Sequence, residues 1–410
     1  MNNNNGLLQV NVCANSKGMP IDNAKVTITD RDSIHIIDEL YTNSSGQTPI
    51  IELSAPPLEY SLDYSSNKPY REYNVFVESD GFEKMSIYGV QIFSSSKAIE
   101  TAEMKYRTAN EENVRNILIG EHVLWGAYPA KFPESDVKPL PESYGYVVLP
   151  DVVVPEYVIV HLGTPNNSNA ENVWIPYKDY IKNVASCEIY STWPAETIRA
   201  NVIAIISFTL NRVYTEWYRG KGYDFTITNN TGYDHSFSYG RNIFEEISVI
   251  VDEIFSTYLT KSDINQPLFT QYCDGKKVNC EKGLHQWGSK DLGDKGYSAI
   301  DILKFYYGHD TYLETAPKVE GVPKSYGGTV LSFDMSGDDI RTIQEQLNAI
   351  SNNYPKIEKM PVTGYYGEQT QNAVKTFQEI FDLPVNGSVD FATWYEISNI
   401  YVSVKKLSEL

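Results

Sequence analysis

Apolar and polar residues alternate one by one over much of the first hundred positions. Leu8, Val10 and Val12 interleave with Gln9, Asn11 and Cys13, and the same rhythm returns at Lys25–Thr29, Tyr73–Val77 and Ile87–Phe93. A period of two places one face of an extended strand in a core and the other toward solvent. Turn-forming runs separate these stretches: Asn15-Ser16-Lys17-Gly18, Ser44-Ser45-Gly46 and Ser79-Asp80-Gly81. Short strands punctuated in this way predict a β-sandwich over residues 1–106.

The rhythm then changes. A short helix is expected over Glu111–Leu124, followed by Pro129, Pro133, Pro139, Pro141, Pro150 and Pro155. Such proline density opposes regular helix, so residues 107–155 read as an extended, protease-accessible connector. From 156 to 315 the pattern is mixed. Tyr157–Leu162 reads as a strand, and Tyr177–Glu188, Pro194–Tyr218, Ile243–Tyr258 and Tyr297–Tyr307 as helices. In the longest of these, Ile198, Val202, Ile205, Ile206, Thr209 and Val213 make a wide core-facing stripe, and Pro194 and Glu196 suit a helix start. Residues 316–331, with Pro317, Pro323, Gly327 and Gly328, form a second linker. Residues 332–410 carry three further helical patterns, Asp338–Ile350, Gln369–Phe381 and Phe391–Val404. The expected fold class is multidomain α+β: an N-terminal β-sandwich, a central mixed α/β domain and a C-terminal three-helix module.

Composition narrows the function. With 41% apolar and 21% charged residues the 410-residue chain is globular. The formal charge of −19 excludes nucleic acid as a partner, because phosphate backbones need a basic face. A glycan is compatible, since 31 Tyr and 6 Trp supply stacking faces. The start, MNNNNGLLQV, has neither a basic nor an apolar leader region, so no secretory signal peptide is expected. The longest apolar run, Val202–Phe208, falls short of the roughly 18 residues of a membrane span. Four cysteines, Cys13, Cys187, Cys273 and Cys280, are too few for a disulfide-built fold.

Two turns near the C-terminus echo each other: Thr363-Gly364-Tyr365-Tyr366-Gly367-Glu368-Gln369-Thr370 and Asn386-Gly387-Ser388-Val389-Asp390-Phe391-Ala392-Thr393. Each has glycine in the turn and threonine opening the next helix. With Gly337, Asp339, Ile340, Ile343, Gln344 and Leu347 before them, and Ala373, Val374, Phe377 and Gln378 between, the segment resembles the type-1 peptidoglycan-binding domain. That resemblance implies a shallow groove for wall peptide or glycan near Gly364–Gly367; Phe377 and Trp394 read as core residues. At the other end, Gly6–Val10 and Pro20–Val26 resemble carboxypeptidase-regulatory-like domains, which implies a scaffold.

The central run Tyr180…Cys187-Glu188-Ile189…Trp193-Pro194-Ala195-Glu196, with Gly283-Leu284-His285-Gln286-Trp287-Gly288 and Gly296-Tyr297…Tyr306-Tyr307, resembles the catalytic domain of stage II sporulation protein D. The resemblance implies a lytic transglycosylase that cuts peptidoglycan glycan strands, with Glu188 as the catalytic acid. One carboxyl suffices for that chemistry. It protonates the glycosidic oxygen, then deprotonates the sugar's own C6 hydroxyl, which attacks C1 and leaves a 1,6-anhydro-muramyl end. A hydrolase would need a second carboxylate. Arg199, Tyr239, His285, Gln286 and Trp287 are the expected substrate contacts, and Glu196 is the rival acid. Ile206-Ser207-Phe208 stands where the family has Arg-Thr-Tyr. Cys273, Cys280 and His285 are close in sequence; zinc, a disulfide and two inert thiols all remain open, with His235 as a guessed further ligand. No cofactor is required by the chemistry.

The order of parts resembles the clostridial spore cortex-lytic enzymes. It implies a zymogen stored in the cortex and coat region of the spore, acting on cortex peptidoglycan. A subtilisin-like germination protease would cut the connector within Glu142–Val154 and release the sandwich. Two other readings stand beside it: a catalytically weak peptidoglycan-binding or scaffold protein, and a cortex amidase.

Overall fold

Strand Asn5–Ala14 is buried over most of its length and forms the spine of the N-terminal region. It pairs in parallel with Lys97–Glu103, in register Leu7 with Lys97, and antiparallel with Ile51–Ser54 and Met19–Pro20. A second sheet runs Ile36–Tyr41, Lys25–Asp30, Tyr70–Glu78, Lys84–Phe93, Val114–Leu118. Val10, Val12, Val26, Ile28, Val75, Val77 and Ile87 fill the space between the two sheets, as the alternation predicts. The computed structural model describes residues 4–14, 17–107, 113–139, 151–264 and 266–407.

Two features of this region depart from the expectation. The helix expected over Glu111–Leu124 does not form: Val114–Leu118 is a strand, parallel to Lys84–Phe93 with Ile117 opposite Ile87. Val114, Ile117 and Leu118 have helical spacing, but only Ile117 is buried, while Leu118 is exposed. The free edge of Lys84–Phe93 offers backbone partners that an isolated short helix lacks. The sandwich is also not a separate unit. Ile243–Phe244, from the central region, completes its first sheet by pairing with Ile99 and Ala98. Asn242 reinforces the seam, accepting from Gln91 N–H and donating to Gln91 O.

The central region is organised around helix Ala195–Tyr214. Pro194, locked at φ −53°, stands immediately before it. The expected stripe widens into burial on nearly every side, because helices Tyr177–Glu188, Glu245–Ile254, Gln286–Asp294 and Ala299–Tyr307 and strand Thr257–Lys261 all pack against it. Two of its buried hydroxyls donate within the helix, Ser207 to Ile203 O and Thr209 to Ile205 O, and a third, Thr197, donates to Ser289 O of a neighbouring helix. A three-stranded sheet, Asn172–Pro176, Tyr157–His161 and Ile227–Thr228, and the pair Thr257–Lys261 with Thr311–Thr315 flank the helices.

The C-terminal helices Asp338–Ile350, Glu368–Ile380 and Phe391–Leu407 fall within a residue or a few of the predicted ranges. The two echoing turns are held alike. Gln344 Oε1 accepts from Thr363 and Gly364 N–H, and its Nε2 donates to Thr370 Oγ1. Gln378 Oε1 accepts from Asn386 and Gly387 N–H, and its Nε2 donates to Thr393 Oγ1. Gly364 and Gly387 both have positive φ (76° and 71°), which is why glycine recurs there. Among the described residues, no helix is long and apolar enough to cross a membrane.

A buried charge cluster ties the module to the rest. Lys178 Nζ reaches Asp252 at 2.9 Å and Glu396 at 2.5 Å, and Lys182 reaches Asp252 at 2.7 Å. Burial raises the Glu396 carboxyl, but Lys178, Lys182 and Lys17 outweigh it and hold it well below the ordinary carboxylate value. Its stabilising contribution is therefore present above the unfolded value and is lost as pH falls through the folded one. Lys178→Met, which leaves Asp252 and Glu396 without their shared cation, is expected to cost about 3–5 kcal/mol at neutral pH. Calorimetry would show this as a lowered Tm, with the deficit narrowing below about pH 4.

Candidate active site

Glu188 is the last residue of helix Tyr177–Glu188 and is 2% exposed. Its Oε1 accepts from Ser236 N–H at 2.7 Å and its Oε2 from Gln286 Nε2 at 3.1 Å. Gln286 Nε2 also reaches Glu188 O at 2.9 Å, fixing the amide's orientation. The carboxylate lines a cavity of about 260 Å³ with Tyr272, Thr231, Tyr128 and Lys131. The hydroxyl of Tyr272 is buried beside the Glu188 carboxylate. Burial, with the Glu188 charge, pushes that phenol well above its ordinary value.

The roof of the cavity is the connector. His122 is fully buried, its Nε2 against Ile189 O, and Val123 N–H donates to Cys187 O at 3.1 Å. Gly126, Ala127, Tyr128 and Pro129 pass over the cavity, and Lys131 enters it, donating to Thr231 O and Asp234 O with its ammonium 4.7 Å from the Tyr272 ring centroid. Burial lowers the Lys131 ammonium, against the opposing pull of Glu188 and Asp234. Further along, Glu134 forms two hydrogen bonds with the buried guanidinium of Arg212 (2.7 and 3.1 Å). The expected extended connector is thus, after strand Val114–Leu118, a strap laid against the central region over residues 122–139. Of the expected cut window, 142–150 lie outside the described residues. Val153–Val154, at its end, pairs in parallel with Lys318–Val319.

The expected contacts divide. Gln286 meets Glu188. His285 does not touch the carboxylate; its Nε2 lies 3.0 Å from Cys280 O and its ring beside Tyr306. Trp287 is buried in an aromatic cluster with Trp193, Tyr190 and Tyr64. Arg199 is engaged by Glu253 at 2.6 Å and Glu196 at 3.6 Å and does not line the cavity. Tyr239 lines a second groove of about 700 Å³, its hydroxyl 2.5 Å from Arg115 Nη2. Tyr128 and the residues flanking Glu188, Cys187 and Ser236, line that groove, so the strap stands between the two spaces. The rival Glu196 has a structural duty, accepting from Ala299 N–H at 2.7 Å at a helix start. Ser207 and Phe208 lie wholly in the core, Phe208 against His235 and Phe269, where no substrate reaches them. The sequence reading missed Ser236, Tyr272, Lys131 and the roof; the adjacency of Tyr272 to Cys273 was the one signal pointing there.

Cys273 and Cys280 are joined as a disulfide. Their sulfurs and a His285 ring nitrogen also lie within 4.8 Å of one another, a set that fits three ligands of a zinc ion. The two arrangements exclude each other, because zinc takes thiolates. His235, the guessed further ligand, is not in the group; its Nδ1 pairs with Tyr180 OH at 3.0 Å. Burial keeps that imidazole well below its ordinary value. The oxidised chain is expected to bind no zinc at this place. The reduced chain should gain at most one equivalent, and Cys273→Ser should abolish it, as read by competition with a chromogenic chelator.

Residues 336–397 match the peptidoglycan binding domain family. No curated protein matches the chain. Among solved structures, the chain is similar to the SleB N-terminal domain, at 27% identity over 19% of this chain and 99% of that one, with a TM-score of 0.17. It is similar to the Bacillus anthracis TIE protein at 17% identity and a TM-score of 0.18, over 25% of this chain and 16% of that one. It is also similar to GBS52, the minor pilin of Streptococcus agalactiae, at 14% identity and a TM-score of 0.18, over 26% and 47%. Residues 336–397 therefore form a C-terminal peptidoglycan-binding module, which gives the chain a role at the cell wall.

Proposed function

We propose that the chain is a peptidoglycan lytic transglycosylase of the spore cortex, made as a zymogen, with Glu188 as acid and then base. The observation that carries this reading is a buried carboxyl lining a cavity, hydrogen-bonded by Ser236 N–H and Gln286 Nε2, with a strap of the same chain lining that cavity too. The other carboxylate of the lining, Asp274, is taken up by the N–H groups of its own turn. Glu188 protonates the glycosidic oxygen as the C1–O bond breaks. It then takes the proton of the C6 hydroxyl as O6 closes on C1. The proton count returns to its start, no water is consumed, and no second carboxylate is needed. The order of parts, resembling the clostridial spore cortex-lytic enzyme SleC, supports the spore as the place and a subtilisin-like germination protease as the activator. The C-terminal module raises the local concentration of glycan at the cavity.

The shared sheet refines the activation step. A cut between the strap and Val153 leaves the sandwich attached through Ile243–Phe244 and the strap attached through Glu134, so cleavage must be followed by dissociation of both. The scaffold reading is favoured by one observation, the covered cavity, which makes the uncut chain a binder alone.

Glu188→Gln is expected to lower release of 1,6-anhydro-muramyl ends by about 10²–10⁴-fold. Binding to cortex sacculi should be unchanged, with mass spectrometry of the digests reading the first and co-sedimentation the second. Connector-cut protein should outpace intact protein. An inert cut protein that still binds supports the scaffold; free stem peptides in place of anhydro ends support the amidase.

A further inference from the structure

The loop between Cys273 and Cys280 lies beside the Glu188 cavity and is more tightly built than a surface loop needs to be. Two-residue strands Tyr272–Cys273 and Leu284–His285 bracket it in parallel. The Cys273–Cys280 link closes it, and zinc held by the same two sulfurs and His285 would close it too. Inside, the Asp274 carboxylate accepts from the N–H groups of Lys276, Lys277 and Val278, an arrangement that fixes the turn. Gly275 has φ +74°, and a Cβ there would come within 2.6 Å of the His285 Cβ. Backbone and space both require glycine at that position.

This loop presents one side chain to the strap. Lys277 Nζ donates to three successive carbonyls, Leu124 O at 3.3 Å, Trp125 O, and Gly126 O at 3.1 Å, with Trp125 also 5.8 Å beneath it. Three consecutive carbonyls turned toward one ammonium are backbone groups that the strap's own turn leaves unpaired. That turn is otherwise held by Trp125 and Gly126 N–H donating to His122 O. A compact cation with three donors suits three oxygens converging from one side.

We propose that the Cys273–Cys280 loop is a latch that holds the connector over the Glu188 cavity, with Lys277 as its bolt. This rests on the zymogen reading above and adds the contact that keeps the cavity shut. The latch belongs to the central region and the residues it grips belong to the connector, held chiefly by their backbone carbonyls with the Trp125 ring beside the ammonium. Lys277 also lines the cavity that holds Glu188.

The test is hydrogen–deuterium exchange on the full, uncut chain, which needs no turnover. In Lys277→Met the amides of Val123, Trp125 and Gly126 should exchange about tenfold faster than in the parent, while amides within helix Ala195–Tyr214 are unchanged. Lys277→Arg should restore most of the protection. Cys280→Ser opens the loop whether sulfur or zinc closes it, and should reproduce the Lys277→Met pattern. Unaltered strap exchange in Lys277→Met overturns the proposal. So does acceleration spread equally over helix Ala195–Tyr214, which marks general loosening. Glu188→Gln should leave strap exchange as in the parent, so loss or survival of glycan cleavage in that variant bears on the proposed activity and not on the latch.

Discussion

The guanidinium of Arg212 is fully buried, and a cation in that position must have its charge answered inside the protein. Asp234 answers on one side at 2.8 Å and Glu134 on the other at 2.7 Å. Asp234 is itself bound by Thr228 N–H, Thr228 Oγ1 and Tyr218 OH, which sets the course of the loop from Thr228 to Ser236. That loop delivers the Ser236 N–H to Glu188. Glu134 is the connector's anchor. One buried charge thus fixes both the floor of the cavity and its cover, and neither is arranged independently of the other.

Much of the fold was legible because it follows from periodicity. Leu8, Val10 and Val12, and the stripe from Ile198 to Thr209, are buried as their spacing implies, while Gln9 and Cys13 on the other face of the strand are buried too and Val213 is only half-buried. The duplicated glycine turns marked the C-terminal module, where Gln344 and Gln378 turn out to be the residues that hold them. The strand Val114–Leu118 was not legible, since a five-residue run with two exposed apolar side chains gains its partner only from a distant edge. Nor was the seam at Ile243–Phe244, where two residues read as a helix start instead extend a sheet begun some 240 positions earlier.

The candidate site divides on the same line. Glu188 and Gln286 lie in stretches whose pattern marked them, and they meet. Trp287 and Arg199 lie in the same stretches, but their side chains are claimed by neighbours no local pattern reveals: an aromatic cluster that includes Tyr64 of the sandwich, and Glu253 of another helix. The connector was the largest gap. Its prolines Pro129, Pro133 and Pro139 lie outside helix, yet an extended chain is equally suited to hanging free and to lying in a groove. Only long-range partners such as Arg212 and Lys277 decide between the two.

The ladder between Val153–Val154 and Lys318–Val319 joins the point where the chain enters the central region to the point where it leaves for the C-terminal module. Entry and exit are stapled side by side. When the module is fastened to a wall and the chain is pulled from its far end, tension crosses this short parallel ladder directly, loading its hydrogen bonds in shear. The helix that ends at Glu188 is tied to the module as well, through Lys178 and Glu396, so the ladder and this buried ion pair share the load between them.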